Sequence, residues 1–309
     1  MTELPATKLQ GAKILVTGPT GQVALPLTLS LAAANEVWGV ARFSDADARR
    51  RLEDAGVTCA PADLSTADFA ELPTDFDYVL NLAVTKGGDD DWDRDLAANG
   101  ESIALLMGHT KPRAFLHCSS TAVYQHQGPG HALVETDPLG DNHRVMFPTY
   151  SLAKIAAEVV ARAVAREHGV PTTIARLNVP YGDNGGWPGW HLEFMLAGAP
   201  IQLHPERPNL FDPIHDDDIA RTLPGLLEAA SVPATIVNWG GAPAALEDWC
   251  GLLGDLTGLE PKFEESAQAL GSVHVDLTRM HELVGEAQVP LDDGIRRMVA
   301  ARHPELLRD

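Results

Sequence analysis

The sequence predicts an α/β protein built on a doubly wound parallel sheet. Three observations carry that expectation. Short apolar runs alternate with longer helical patterns from Ala12 to Leu177. A glycine-rich turn, Gly18-Pro19-Thr20-Gly21, separates the first run from the first helix. The strand-like runs are continuously apolar, as strands buried on both faces are.

Ala12 to Val16 is a compact apolar run, and a helical pattern follows from Gly21 to about Ala34. Val37 to Val40 reads as the second strand. Asp45 to Ala55 is a charged helix closed by Gly56. Val57 to Ala60, Tyr78 to Leu82, Ala114 to Cys118 and Thr172 to Leu177 are the third to sixth strands. Helices over Trp92 to Met107 and Thr149 to His168 separate the later ones. Right-handed crossovers through these helices produce the doubly wound sheet. The rhythm breaks after Leu177. Gly182 to Gly189 reads as a loop, and Leu203 to Pro213, with three prolines, reads as a surface connection. Strand-like pieces return at Phe211 to Ile214 and Thr235 to Val237, with a helix from Asp216 to Ala229 between them. The tail from Ala245 is mostly helical.

The chain has 309 residues and a net charge of −20, from 23 basic and 43 acidic side chains. So negative a surface repels nucleic acid and anionic membranes, and neither is expected as a partner. Cys59, Cys118 and Cys250 are far apart and odd in number, which fits free thiols in a reducing compartment. The apolar run Leu25 to Ala34 is too short to span a bilayer. The expected location is the cytoplasm.

Thr17-Gly18-Pro19-Thr20-Gly21-Gln22-Val23-Ala24 follows a strand and opens a helix, the setting that a phosphate cradle needs. Glycine lets backbone N–H groups approach a pyrophosphate, and the helix N-terminus adds partial positive charge. Gly18, Thr20, Gly21, Gln22 and Val23 are the cradle candidates. The second strand ends in Ala41-Arg42, without the carboxylate that would hold the ribose hydroxyl of NAD. Arg42 suits a 2′-phosphate, so the expected cofactor is NADP, with NAD the alternative. Asp63-Leu64 suits the adenine edge, and Leu82-Ala83 suits passage of the cofactor ribose.

Tyr150 and Lys154 are four apart on a helix and share a face. A nearby ammonium brings a phenol toward working pH. Ser119-Ser120 ends the fifth strand, where ligands bind in such sheets. Ser120 can orient a carbonyl, Tyr150 exchange its proton, and Lys154 tune the phenol and hold the cofactor ribose.

With the cradle at Thr17 to Ala24, Asp63-Leu64, Asn81-Leu82-Ala83, Asn99, Ser119 to Tyr124, Tyr150 to Lys154, Arg176 to Gly182, His215 to Ala220 and Asn238 to Gly241, the sequence resembles extended short-chain dehydrogenase/reductases. The closer likeness is to their NAD-dependent epimerase/dehydratase branch. The resemblance implies a Rossmann domain of residues 1–177 plus about 212–240. A smaller, discontinuous C-terminal substrate domain would take about 178–211 plus 241–309. It implies Tyr150 as acid/base with Ser120 and Lys154 as its partners, and it places Leu177 at the nicotinamide. Tyr124 and Asn178 become substrate candidates.

Two departures matter. Dehydratases of the family carry Thr-Asp-Glu where this chain has Ser120-Thr121-Ala122. Epimerases carry an arginine four residues before the position of His215, and here that residue is Phe211, with Arg207 nearby. The expected activity is therefore an NADP-dependent carbonyl reductase or alcohol dehydrogenase. A nucleotide-sugar 4-epimerase with tightly held NAD is the first alternative, and a non-catalytic NADP-sensing regulator the second.

Trp187 and Trp190 flank Pro188-Gly189 and could wall a cyclic or aromatic substrate. His126, His131 and His143 lack metal-ligand spacing, so no metal is expected. Asp89-Asp90-Asp91 reads as a solvated helix start, and Asp216-Asp217-Asp218 as the cap of a helix beginning near Ile219. The helix after Tyr150 is apolar on several sides, and a homodimer through it and the Trp92 to Met107 helix is expected.

Overall fold

The computed structural model describes residues 9–66, 68–85 and 91–308. Its centre is a seven-stranded sheet of β1 (Lys13–Thr17), β2 (Glu36–Ala41), β3 (Thr58–Pro61), β4 (Tyr78–Asn81), β5 (Ala114–Ser120), β6 (Thr172–Leu177) and β7 (Thr235–Trp239). All pairings are parallel, and the strand order is β7-β6-β5-β4-β1-β2-β3. The order reverses between β1 and β4, which opens a crevice above their carboxyl ends.

The uniformly apolar strands are explained by cover on both faces. Ile14 and Val16 of β1 pack with Leu27 and Leu31 of α1 (Ala24–Ala32) and with Leu223 of α7 (Asp216–Glu228). Leu15, between them, faces the other way. It joins Val79, Phe115 and Ile174 under α4 (Ser102–Thr110) and α5 (Tyr150–His168). Local signals set the ends. The Asp45 carboxylate accepts from the amides of Asp47 and Ala48 and starts α2 (Ala46–Asp54). Gly169, at φ 66, closes α5.

The apolar layer on the α1 side continues into the C-terminal part through Trp239, Trp249 and Met298. That part carries α6 (Trp187–Leu196), α8 (Leu246–Thr257), α9 (Thr278–Val284), α10 (Leu291–Arg302) and several strands of two or three residues. No helix among the described residues is long and apolar enough to cross a membrane.

Several expectations need correction. The single helix expected from Trp92 to Met107 is α3 (Trp92–Leu96), a π-helical turn at Ala97–Glu101, and α4. Within the turn, Asn99 donates to the carbonyls of Asp95 and Thr85 and accepts from the Thr85 amide. The Gly182 to Gly189 stretch is not one loop. Pro180–Gly182 pairs with Gly185–Gly186, and α6 begins at Trp187. The Leu203 to Pro213 connection buries Asn209, Phe211 and Asp212, because the Asp212 carboxylate accepts from the Val275 amide and from Asn178. Helix α7 starts at Asp216, not near Ile219, and His215 is its cap, accepting from the Asp217 amide at 3.1 Å. Of the Asp89 to Asp91 run, only Asp91 lies within the described residues, and it caps α3.

Candidate active site

The crevice is built first from backbone. Gly18 sits at φ +63, and a Cβ there would stand 2.9 Å from the Ala83 Cα. Only glycine allows both the turn and this approach. The Gly18 amide donates to the Val40 carbonyl, and the Gly21 amide returns to the Gly18 carbonyl. No side chain caps the start of α1. The Leu25 amide already donates to the Gly21 carbonyl, so the N–H groups at Gln22 to Ala24, just before it, are the ones placed to meet an anion.

A hydrogen-bonded row ties the strand ends beneath the cradle. The Ala83 amide donates to Thr17 Oγ1 at 3.0 Å, and Thr17 Oγ1 donates to Asn81 Oδ1 at 2.8 Å. Asn81 Nδ2 then meets His117 Nδ1 at 3.0 Å. The Asn81 amide can only donate there, so the ring proton of His117 belongs on Nε2. Burial first, and the Lys154 charge second, hold the His117 imidazole well below its usual range. It is a neutral part of the floor.

At the outer end, Arg42 is exposed and lines the cavity, and no acid stands at the tip of β2. The Ser65 amide, accepted by the Asp63 carboxylate, is the main reason that group lies below the usual carboxylate range. The Arg42 and Arg94 charges add to the effect, and both residues line the cavity with Asp63.

The reacting groups come from two elements. Ser120 ends β5, and its Oγ accepts from the Ala122 amide at 3.1 Å. Tyr150 opens α5 and is hydrogen-bonded to Ser120. Burial pushes the phenol up to about 12, and the Ser120 contact opposes that shift. Lys154, one turn on, is buried and donates from Nζ to the Cys118 carbonyl at 2.8 Å. Burial likewise raises the Cys118 thiol, which is therefore a poor nucleophile. Below these groups, Ser119 Oγ donates to Glu158 at 2.6 Å, and Arg176 binds both oxygens of that carboxylate.

The cradle and the reacting groups open onto one cavity of ≈ 440 Å³. Gly18, Thr20, Gly21, Gln22, Val23, Arg42, Asp63, Leu64, Leu82, Ala83, Ser119, Ser120, Tyr150, Lys154, Leu177, Asn178, Trp187 and Trp190 all line it. Tyr124 does not. It is fully buried, donates its hydroxyl to Asn238 Oδ1 and stacks under Arg176 at 4.8 Å, so it has no surface for a substrate. Arg207 is also outside the cavity, drawn off by Glu247 and Glu265. Asn178 lines the wall with its amide already spent on Asp212 and the Val273 carbonyl.

Sequence reasoning passed over other lining residues: Phe43, Ser44, Arg94, Met146, Phe147, Leu270 and Val273, with Phe211 noted only as a missing arginine. Phe43 takes a left-handed φ of 51, which tucks its ring inward. An acidic residue two places later, at the α2 cap, was the one nearby signal of a turn. Among the described residues, no group of three or more His, Cys, Asp or Glu side chains stands together to hold a metal.

A glycine cradle at the topological switch point, with a serine, a tyrosine and a lysine at its mouth, defines an NAD(P)-dependent enzyme of the extended short-chain dehydrogenase/reductase type. The model of the NAD dependent epimerase/dehydratase family matches residues 14–240. The chain belongs to that family.

The fold is similar to that of UDP-glucuronic acid 4-epimerase from Bacillus cereus, solved with UDP-glucuronic acid and NAD. There the TM-score is 0.80 at 21% identity, over 94% of this chain and 98% of that one. UDP-glucose 4-epimerase from Thermotoga maritima, solved with UDP-glucose, gives a TM-score of 0.79 at 20% identity, over 95% and 99% of the two chains. The dTDP-glucose 4,6-dehydratase DesIV from Streptomyces venezuelae, with NAD bound, gives 0.80 at 21%, over 94% and 97%. A comparison with curated protein sequences returned no match.

Proposed function

We propose that this chain catalyses hydride exchange at a carbon bearing a ketone or a secondary alcohol. The observation that carries the reading is the Ser120–Tyr150 hydrogen bond at the mouth of the cradle, with Lys154 one turn further on the same helix face. The cradle fits a dinucleotide, because Gly18 adopts the left-handed turn that brings backbone rather than side chain to the crevice, and no side chain caps the start of α1.

Thr20 to Val23 would hold the pyrophosphate, Asp63 the adenine edge and Lys154 the nicotinamide ribose. A bound nicotinamide supplies and takes up the hydride. Ser120 and Tyr150 orient the substrate oxygen by hydrogen bonds. Because burial keeps the Tyr150 phenol protonated at neutral pH, it is poised to give its proton to a developing alkoxide. In the opposite direction it is the phenolate that accepts the proton of the alcohol.

Two versions of this chemistry differ in substrate and cofactor. The named substrates of the similar structures support a nucleotide-sugar 4-epimerase that keeps its NAD. The positions where this chain departs support an exchanging, NADP-dependent reductase or alcohol dehydrogenase: Arg42 at the end of β2, and Phe211 where an epimerase has its arginine. We take the second as the working assignment, since it rests on this chain's own residues, while likeness at about one-fifth identity carries the fold.

Titration of the purified protein with NADPH and NAD⁺, after a check for cofactor retained from expression, tests it. Preference for NADPH and an empty protein as isolated are expected. NAD⁺ that survives purification moves the assignment to the epimerase. A homodimer through α4 and α5 belongs to the same reading. Leu152, Ala156, Val159 and Ala163 form a stripe on α5 that is exposed or half-buried, and Leu105 of α4 is exposed as well.

A further inference from the structure

We propose that the substrate half of the cavity takes an uncharged, apolar ring carrying the ketone or alcohol, and not a nucleoside diphosphate. This deepens the hydride-transfer reading above and rests on it. Among the described lining residues, the arginines and the lysine, Arg42, Arg94 and Lys154, belong to the cofactor half. Arg42 and Arg94 line the cavity beside Asp63, near enough for their charges to act on its carboxylate, and the Lys154 ammonium is held at the Cys118 carbonyl. Beyond Tyr150 the wall is Met146, Phe147, Trp187, Trp190, Phe211 and Val273. The ionisable side chains on that half, among the described lining residues, are Tyr150 and His143, and the imidazole of His143 is engaged by Asn142.

Three arginines of the C-terminal part are committed to other partners. Arg207 binds Glu247 and Glu265, Arg297 binds Asp183 and Asp217, and Arg302 binds Glu193. A diphosphate brought into this half would lose its water without gaining a cation, which is strongly unfavourable. The net charge of −20 adds to the penalty.

What the half does offer is a fixed aromatic surface. Trp187 meets Phe211 edge-on, with ring centroids 4.8 Å apart, and lies 5.7 Å from Trp249. Trp249 is itself locked by a 2.8 Å hydrogen bond to His191. Such a wall is ready before a ligand arrives, so a flat or alicyclic ring gains contact at little ordering cost. Trp190 and Met146 line the cavity while half their surface or nearly so remains exposed, 50% and 42%, which extends the apolar lining outward.

The test is ligand-observed NMR on the protein loaded with NADP⁺, using 2-decalone, UDP and UDP-glucose as probes. Loading the cofactor first keeps the nucleotides out of the cradle. The expected result is saturation transfer to 2-decalone and none to UDP or UDP-glucose. Trp187→Ala should weaken 2-decalone binding about tenfold, in line with the loss of an aromatic wall. Trp190→Ala, at a half-exposed position that should not disturb folding, should weaken it several-fold. Tighter binding of UDP-glucose than of 2-decalone overturns the proposal, and so does 2-decalone binding that Trp190→Ala leaves unchanged. Failure of the hydride-transfer reading looks different: neither NADPH nor NAD⁺ would bind at the loading step, or a cofactor would bind and exchange hydride with no ketone or alcohol.

Discussion

Glu158 and Arg176 form a two-point ion pair inside the protein, with contacts of 2.9 and 2.8 Å. Each side chain is only 2% exposed. Glu158 lies one turn beyond Lys154 on α5, and Arg176 is on β6. The pair, together with the Ser119 hydroxyl, therefore fastens the helix that carries Tyr150 to the strand ends that carry Ser120 and Leu177.

Removing one partner leaves a buried charge alone. Glu158→Ala should cost about 3–5 kcal/mol of stability, because breaking a buried pair exposes the full desolvation penalty of what remains. Denaturant unfolding measures this. A loss below about 1 kcal/mol, the range of a surface pair, would contradict the burial seen here.

Tyr150→Phe should abolish turnover by about 10²–10⁴-fold, the usual worth of a positioned proton donor. Cofactor affinity should stay within a few-fold, since the phenol is directed at substrate oxygen. Loss of cofactor binding in parallel would make Tyr150 a structural residue.

The phenol itself has a testable titration. Absorbance near 295 nm, taken as the difference between the wild type and Tyr150→Phe, should give a midpoint near 12 in the cofactor-free protein. The sign follows from burial, which penalises the phenolate. Reduction should therefore hold a plateau through neutral pH and fall only as the phenol ionises. Oxidation should rise with pH over the same range. A free-enzyme midpoint well below 10 would mean that the Lys154 charge outweighs burial.

Arg42→Ala should weaken NADPH by about 1.5–3 kcal/mol, roughly ten- to a hundredfold, the worth of a charge-assisted contact to phosphate. NADH should be almost unaffected. Equal losses for both cofactors would remove the basis for a preference.

Leu152→Glu combined with Val159→Glu should leave a folded monomer, because two charges on the exposed stripe of α5 oppose a second copy of it. Light scattering reads the change in mass. If the wild type is already monomeric at micromolar concentration, the proposed interface does not exist.

The parts of the site that could be read from the chain are those whose logic is local. The cradle from Gly18 to Ala24 depends on a strand, a turn and a helix that are contiguous. Tyr150 and Lys154 depend only on helical period. What sequence could not reveal was set by partners far along the chain. Tyr124 follows the serines closely, yet its direction is decided by Asn238, 114 residues away. Asp212 looked like part of a surface connection, but Asn178, His274 and Val275 draw its carboxylate inside. The π-helical turn at Ala97–Glu101 adds one residue to a pattern that otherwise keeps helical period, so it leaves little trace in hydrophobicity.

Gly18 and Ala83 stand on different strands' ends and fill one another's space. Neither position can enlarge alone without pushing the two strand ends apart where the pyrophosphate would lie. Evolution of this loop is thus constrained as a couple rather than as two sites. A chain that drifted to a larger residue at either place would keep its sheet, lose its coenzyme, and survive only as a scaffold.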